Sequence, residues 1–405
     1  MTNATNRSDT SVTLHAHQPG PEEAWPFYAE DEIEAVAAVL RSGRVNQWTG
    51  PDVFAFQDAC TDRFGGGRGI ALANGSLALE LALRAFDIGP GDEVVVTPRS
   101  FVASAFTAML VGATPVFADV DPDSGNITPE TIARVLTDRT RAIVPVHLAG
   151  WPADMTAIME LARARGIQVI EDCAQAHGAA IGGRSVGSFG DAAAFSFCQD
   201  KIISTGGEGG FVSFRDEASW KWAWSFKDHG KNWDKVNMPA VNSGMFRWLH
   251  DSVGTNWRLT GPQAAIGITQ LAKLDEWTRI RTRNAAIWGR ALNQVPGLRV
   301  PMPGPRFVHA YYKFYFYVDA QADKAGPLRN EILSRAAQSG LRVFSGSCSE
   351  MYLEAAFNGL PEPDCPFART MTDNSLMVEV HPSLRPDLLE QRAERLASIC
   401  AEVLE

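Results

Sequence analysis

From Asp92 to Phe214 the chain alternates short apolar runs with stretches of helical spacing, and few folds accommodate that pattern. The runs Glu93–Thr97, Pro115–Ala118, Ala142–His147, Ile167–Glu171, Ala192–Phe197 and Gly210–Phe214 read as strands. Between them, Ile132–Leu136 and Met155–Arg165 (entered through Asp154) carry apolar residues at helical spacing. Short apolar strands joined through helices build a mostly parallel sheet covered on both faces. Upstream, Asp31–Leu40 and Ser76–Phe86 read as amphipathic helices. The second opens at Asn74-Gly75-Ser76, residues suited to capping the free N–H groups of a first turn.

Past Gly261 the texture changes. Pro262–Val295 reads as a long helix, Tyr311–Val318 as an aromatic strand, and Gly326–Gly340 and Leu389–Leu404 as further helices. The expected architecture is therefore α/β. A mobile N-terminal tail over residues 1–20 precedes a large domain over 21–260, with a mostly parallel central sheet flanked by helices. A smaller C-terminal α+β domain over 261–405 closes on it. There is no internal repeat and no low-complexity segment.

With 405 residues the chain can bury a large core without staples. A net charge of −10 argues against nucleic-acid binding, which rewards a basic face. Cys60, Cys173, Cys198, Cys348, Cys365 and Cys400 are scattered, with no C-x-x-C pair and no zinc spacing, so no metal site is expected. Free thiols fit a reducing compartment, and the N-terminus lacks an apolar signal core, so a cytoplasmic location is expected. Phe101–Ala118 is uncharged and long enough to raise the question of a membrane span. Its Ser, Thr, Gly and Pro content favours a buried helix followed by a buried strand, and no membrane association is expected.

In open parallel sheets, ligands bind outside the carboxyl ends of the strands. Arg99, Ser100 and Phe101 follow the first strand of the set, and His147 ends the third. Asp172 and Gln175 follow the fourth, and Ser196 lies late in the fifth. Just beyond comes FSFCQDKIISTGGEGG, with Lys201 ahead of four glycines in five positions. Taken alone, Lys201 reads equally well as a solvated lysine beside a flexible loop. The glycine order is neither a P-loop nor a dinucleotide fingerprint. VIEDCAQAHG changes the balance, because pyridoxal phosphate (PLP) needs a lysine on its aldehyde and a carboxylate on its ring nitrogen. Asp172 suits the second role, although alone it reads as well as a helix cap. Gln175 is placed to reach the ring hydroxyl. Gly75 and Ser76 offer the phosphate a helix N-terminus and a hydroxyl, Ser196 a second hydroxyl. Phe101 could stack on the ring, though an aromatic after a strand is more often core.

The segments ANGSLALELAL, TPRSFVASA, GATPVFADVD, VPVHLAG, VIEDCAQAHGA, GDAAAFSFCQDKIISTGGEGG and GTNWRLTGPQAAIG, in this order, resemble the PLP-dependent sugar aminotransferases of the DegT/StrS family. Asp172 and Lys201 stand 29 positions apart. The resemblance implies the aspartate-aminotransferase-like fold type I, with PLP held as a Schiff base on Lys201 and alternating with pyridoxamine phosphate during turnover. It implies Asp172 on the pyridinium, Gln175 on the ring hydroxyl, Phe101 on the ring face, and Gly75, Ser76 and Ser196 on the phosphate. It further implies that Asn256 reaches the phosphate in a neighbouring subunit, making a homodimer with shared sites. Glutamate is the implied amino donor and a keto or aldehyde sugar, typically nucleotide-linked, the acceptor. A keto-inositol or an oxidised octulosonic acid is the alternative acceptor, and a PLP-binding regulator without turnover the alternative class. Lys201 argues against the family's dehydratase branch, in which a His replaces it. Arg99 and His147 are candidate substrate contacts, Arg99 for a carboxylate or phosphate. The aromatic segment Trp220–His250 is read either as a wall of the substrate pocket or as packing.

Overall fold

The computed structural model describes residues 23–239 and 247–405, and the tail expected over residues 1–20 lies outside them. Through the first two-thirds of the chain run β1 (Arg68–Leu72), β2 (Glu93–Val96), β3 (Thr114–Phe117), β4 (Thr140–Val144) and β5 (Gln168–Asp172). A short hairpin, β6 (Ala180–Ile181) and β7 (Arg184–Ser185), precedes β8 (Ala192–Ser196) and β9 (Gly210–Phe214). Seven of these form one sheet in the order β1-β9-β8-β5-β4-β2-β3. Pairing is parallel from β8 through β3, and β9 alone runs against both its neighbours. The six expected strands are present with ends shifted by a few residues. β1 was not expected; among the described residues its strand partner is β9, about 140 positions later, with one further bridge from Leu72 to Arg258, so nothing local announces it.

The helices are α1 (Glu30–Ser42), α2 (Asp52–Phe64), α3 (Gly75–Ala85), α4 (Ala103–Leu110), α5 (Pro129–Ala133), α6 (Met155–Arg165), α7 (Glu217–Lys227) and α8 (Trp233–Asn237). Their starts follow their caps. Asn74 Oδ1 accepts from Leu77 N–H at 2.9 Å to open α3, and Asp154 opens α6, which Gly166 closes in the left-handed region at φ 65°. α3 packs on β8, β9, α4 and α7, while α2 lies on β1 and α6 on β5. The uncharged stretch Phe101–Ala118 holds α4 and β3, but Met109 and Leu110 are exposed, so α4 is only partly buried. Among the described residues, no helix is long and apolar enough to cross a membrane.

The long helix α9 (Gly261–Leu292) begins where the smaller domain was expected to begin. Its Ala264 and Leu274 belong to the large core, while Ala285, Ile287, Trp288 and Leu292 belong to a second one. The two cores therefore divide within α9, between Leu274 and Ala285. The second core lies under a four-stranded antiparallel sheet of β10 (Leu298–Arg299), β12 (Phe314–Val318), β14 (Ser375–Val378) and β13 (Val343–Phe344). β11 (Phe307–Val308) instead pairs with β6 of the large domain. Three further helices, α10 (Ala322–Gln338), α11 (Pro366–Asn374) and α12 (Pro386–Leu404), complete the chain. Of the aromatic segment, Trp220 and Trp224 are buried and each meets Trp233 edge-on at 4.7 Å, which is packing. Trp222 and Trp248 are exposed, and residues 240–246 lie outside the described ones.

Candidate active site

Two glycines fix the floor. A Cβ on Gly75, the first residue of α3, would stand 2.5 Å from Ser196 Cβ at the end of β8. A Cβ on Gly210, at the start of β9, would stand 2.1 Å from the Asn74 carbonyl oxygen. The first turn of α3 is thus pressed directly onto β8 and β9. That approach sets its free N–H groups, the exposed Ser76 and the nearly buried Ser196 around one point. Free N–H groups at a helix start together with hydroxyls are the chemistry that suits an anion.

Asp172 ends β5 and is almost wholly buried. Its backbone is held from both sides: the carbonyl accepts from His147 N–H at 3.2 Å, and the neighbouring Cys173 N–H donates to Ala194 O at 2.8 Å. Its carboxylate accepts from Ser104 Oγ at 2.8 Å and from Ala174 N–H at 3.1 Å. Burial pushes this carboxyl above the usual range. The Ser104 and Ala174 hydrogen bonds and the Lys201 charge oppose that rise.

Lys201 follows β8, and its Nζ has no hydrogen-bond or ion-pair partner among the described residues. It lies 4.9 Å from the centre of the Tyr312 ring. The Tyr312 hydroxyl donates to Asp200. Burial pushes the Asp200 carboxyl up, but the Lys201 charge, the Tyr312 hydroxyl and Lys313 together hold it below the usual range. Gln175 accepts from Ala149 N–H through Oε1 at 2.7 Å. That contact turns Nε2 into the amide's remaining donor. Ala149 sits at φ 55°, a left-handed conformation costly for a residue with a Cβ, and its carbonyl also accepts from Tyr312 N–H at 2.8 Å.

Phe101 is 68% exposed beside α4, so the expectation that such an aromatic is more often core does not apply to it. Asn256 is exposed as well, and its side chain makes one weak hydrogen bond, from Arg258 N–H at 3.5 Å, with none to the other candidates.

Two candidates for substrate contact are enclosed by protein. Arg99 is fully buried, donating to Ser349 and lying 5.0 and 6.0 Å from the Tyr315 and Tyr317 ring centres. It ties the end of β2 to the segment around Ser349, while its Nε and Nη2 are buried without a hydrogen-bond partner among the described residues. His147 is also fully buried. Its Nδ1 accepts from Ala153 N–H at 3.0 Å, which leaves Nε2 to carry the proton and donate to Glu171 at 3.2 Å. Glu171 and Cys173 offer His147 metal-like neighbours. The Glu171 oxygens, however, already accept from Gly187, Phe189 and Gly190 N–H at 2.7–2.9 Å.

The remaining residues fit PLP. The cradle that a Cβ would fill could hold a phosphate, the buried Asp172 a ring nitrogen, Gln175 Nε2 a ring oxygen, and Lys201 Nζ an aldehyde. Ser104, Asp200, Tyr312 and Ala149 were not anticipated. Ser104 alone left a trace, standing one helical turn after Ser100.

The model of the DegT/DnrJ/EryC1/StrS aminotransferase family matches residues 26–397. The spore coat polysaccharide biosynthesis protein SpsC of Bacillus subtilis is 34% identical over 378 residues, covering 92% of this chain and 95% of that one. A UDP-N-acetyl-3-dehydro-alpha-D-glucosamine 3-aminotransferase of Acidithiobacillus ferrooxidans is 35% identical, covering 83% and 84%. The X-ray structure of an aminotransferase from Psychrobacter cryohalolentis superposes with a TM-score of 0.90 at 46% identity, covering 94% of this chain and 99% of that one.

Proposed function

The chain belongs to the DegT/DnrJ/EryC1/StrS aminotransferase family, and from that premise we propose that it moves an amino group from glutamate to a keto or aldehyde sugar, nucleotide-linked, through a Schiff base on Lys201. It is an aminotransferase of sugar-modifying type, and its family implies PLP dependence. The observation that carries the finer reading is the unpartnered Lys201 Nζ beside the buried Asp172 carboxylate, with the Gly75–Ser196 cradle at the same sheet edge.

Bound PLP supplies an electron sink for the donor's α-carbon and carries the amine between the two halves of the reaction. Asp172 holds the proton on the ring nitrogen. Gln175 Nε2 donates to the ring hydroxyl, and Phe101 covers the ring face. The Gly75 and Ser76 N–H groups and the Ser196 hydroxyl hold the phosphate. The Lys201 amine, when free, would be the base that takes the proton from the donor's α-carbon. Asn256, exposed and with no hydrogen bond to these residues, serves the phosphate of a neighbouring subunit in a homodimer.

A nucleotide-linked keto sugar is supported by the names of two relatives, the UDP-linked aminotransferase above and a dTDP-3-amino-3,4,6-trideoxy-alpha-D-glucose transaminase. The test has two parts. Glutamate is expected to bleach the visible band of the PLP-loaded protein. Nucleotide-linked and free keto sugars are then screened for return of that band from the pyridoxamine-phosphate-loaded protein. Lys201→Ala is expected to lose turnover by several orders of magnitude; unchanged turnover would sink the reading.

A further inference from the structure

The turn that opens α4 faces two ways. Phe101 is exposed on it, and three residues later Ser104 is buried and aimed at Asp172. Ser104 N–H donates to Phe101 O at 3.2 Å, so the two side chains belong to one hydrogen-bonded turn. Behind Ser104 stands Ser100, buried, with its Oγ 3.2 Å from Ser104 Oγ.

An ionised carboxylate only accepts, so Ser104 must spend its single proton on Asp172 and accept that of Ser100. The two hydroxyls then form a directed chain, Ser100 to Ser104 to Asp172. The other Asp172 oxygen is held by the backbone N–H of Ala174, which no side-chain change can remove. Ser104 is thus the one replaceable donor on a carboxylate that burial otherwise pushes toward its neutral form.

We propose that Ser104 is a positioning residue for the cofactor's ring nitrogen: backed by Ser100, its hydroxyl keeps the Asp172 carboxylate deprotonated and fixed in direction, so that this nitrogen stays protonated. The proposal rests on the reading of Asp172 and Lys201 given above. A hydroxyl pair that merely satisfied itself inside the core would need no carboxylate at its end, whereas Asp172 is its terminus.

The experiment is a pH titration of the visible band of the PLP-loaded protein, together with PLP affinity from absorbance and melting of the cofactor-free protein. Losing one charge-assisted hydrogen bond corresponds to roughly a tenfold effect, or about one pH unit. In S104A the band's midpoint is expected to rise, because a ring without its nitrogen proton withdraws less charge from the group joined to Lys201. PLP is expected to bind roughly tenfold more weakly. S104T, which keeps the hydroxyl, restores both, and S100A moves the midpoint the same way by less. A midpoint and affinity unchanged in S104A overturn the proposal, whatever the melting temperature does. Should S104A not fold, S100A carries the test, and an unmoved midpoint there overturns it equally. A wild-type protein that shows no visible band dependent on Lys201 would defeat the underlying reading instead.

Discussion

Lys227, the last residue of α7, should make this protein more stable as the solution becomes more alkaline. It is fully buried, its Nζ 2.6 Å from Gln47 Oε1 and 3.6 Å from Asp228 Oδ2. Asp228, equally buried, is already paired with Arg258 at 2.8 Å and Lys231 at 3.1 Å. Burial therefore dominates, and it depresses the Lys227 amine to about 7, against an opposing pull from Asp228. The unfolded chain keeps this amine charged up to its ordinary value of 10.5. Between the two values the unfolded state holds one more proton, and folding stability rises with pH by up to about 1.4 kcal/mol per unit from this group. From about pH 7.5 to 9.5 that amounts to roughly 2 kcal/mol, or ~2–3 °C in Tm for a chain of this length. Lys227→Met keeps most of the packing and removes the titration. The assay follows the Tm of both proteins across this range without cofactor and at one protein concentration, because bound ligand and subunit association also move Tm. Wild type should gain on the variant steadily as pH rises. A flat difference would refute the reasoning. The residue matters beyond stability, since Asp228 bridges to Asn256 and Lys227 O accepts from Trp257 N–H at 3.1 Å; the buried charges hold the segment assigned to the neighbouring subunit.

Gly210→Ala places a Cβ against the Asn74 carbonyl, a backbone atom that cannot rotate away, and should lower PLP affinity at least tenfold as α3 is pushed off β9. Affinity within twofold of wild type, read from the absorbance titration, would show that the cradle is not set by this approach. Arg99→Met keeps packing volume while removing a buried guanidinium whose Nε and Nη2 have no partner. It should leave acceptor KM within about twofold and stability unchanged or higher. A KM raised tenfold or more at unchanged Tm would return Arg99 to the substrate.

The sheet was legible because a parallel α/β layer writes itself locally: each strand is a short apolar run and each connection a helix with its own cap. β1 broke that rule. Arg68–Leu72 follows three glycines and pairs with β9 and, through Leu72, with Arg258, so its evidence lies in the other half of the chain. The helix that carries the expected boundary behaves in a related way. Gly261 is a true helix start, with Thr260 and Gln263 forming the capping box, but one helix here serves two cores. A cap marks where a helix begins and carries no record of what its far end packs against.

Within the site, position along the chain was readable and side-chain direction was not. Glu171 and Asp172 are adjacent acids at the end of one strand, so they point to opposite faces. Asp172 meets Ser104 and the charge of Lys201, while Glu171 gathers three backbone N–H groups and His147. The same divergence separates Arg99, drawn under the small domain by Ser349 and two tyrosine rings, from Phe101, left exposed two positions later. What distinguishes functional from structural polar residues at this edge is the partner each finds across the fold. Glu171 and His147 have direct protein partners that account for their placement, whereas Arg99 has one through Nη1 and keeps Nε and Nη2 without a partner among the described residues. Lys201 Nζ, whose charge acts on the Asp172 carboxylate, and Gln175 Nε2 have none among the described residues. A strand end supplies a list of candidates, and unspent donors next to a buried acceptor select among them.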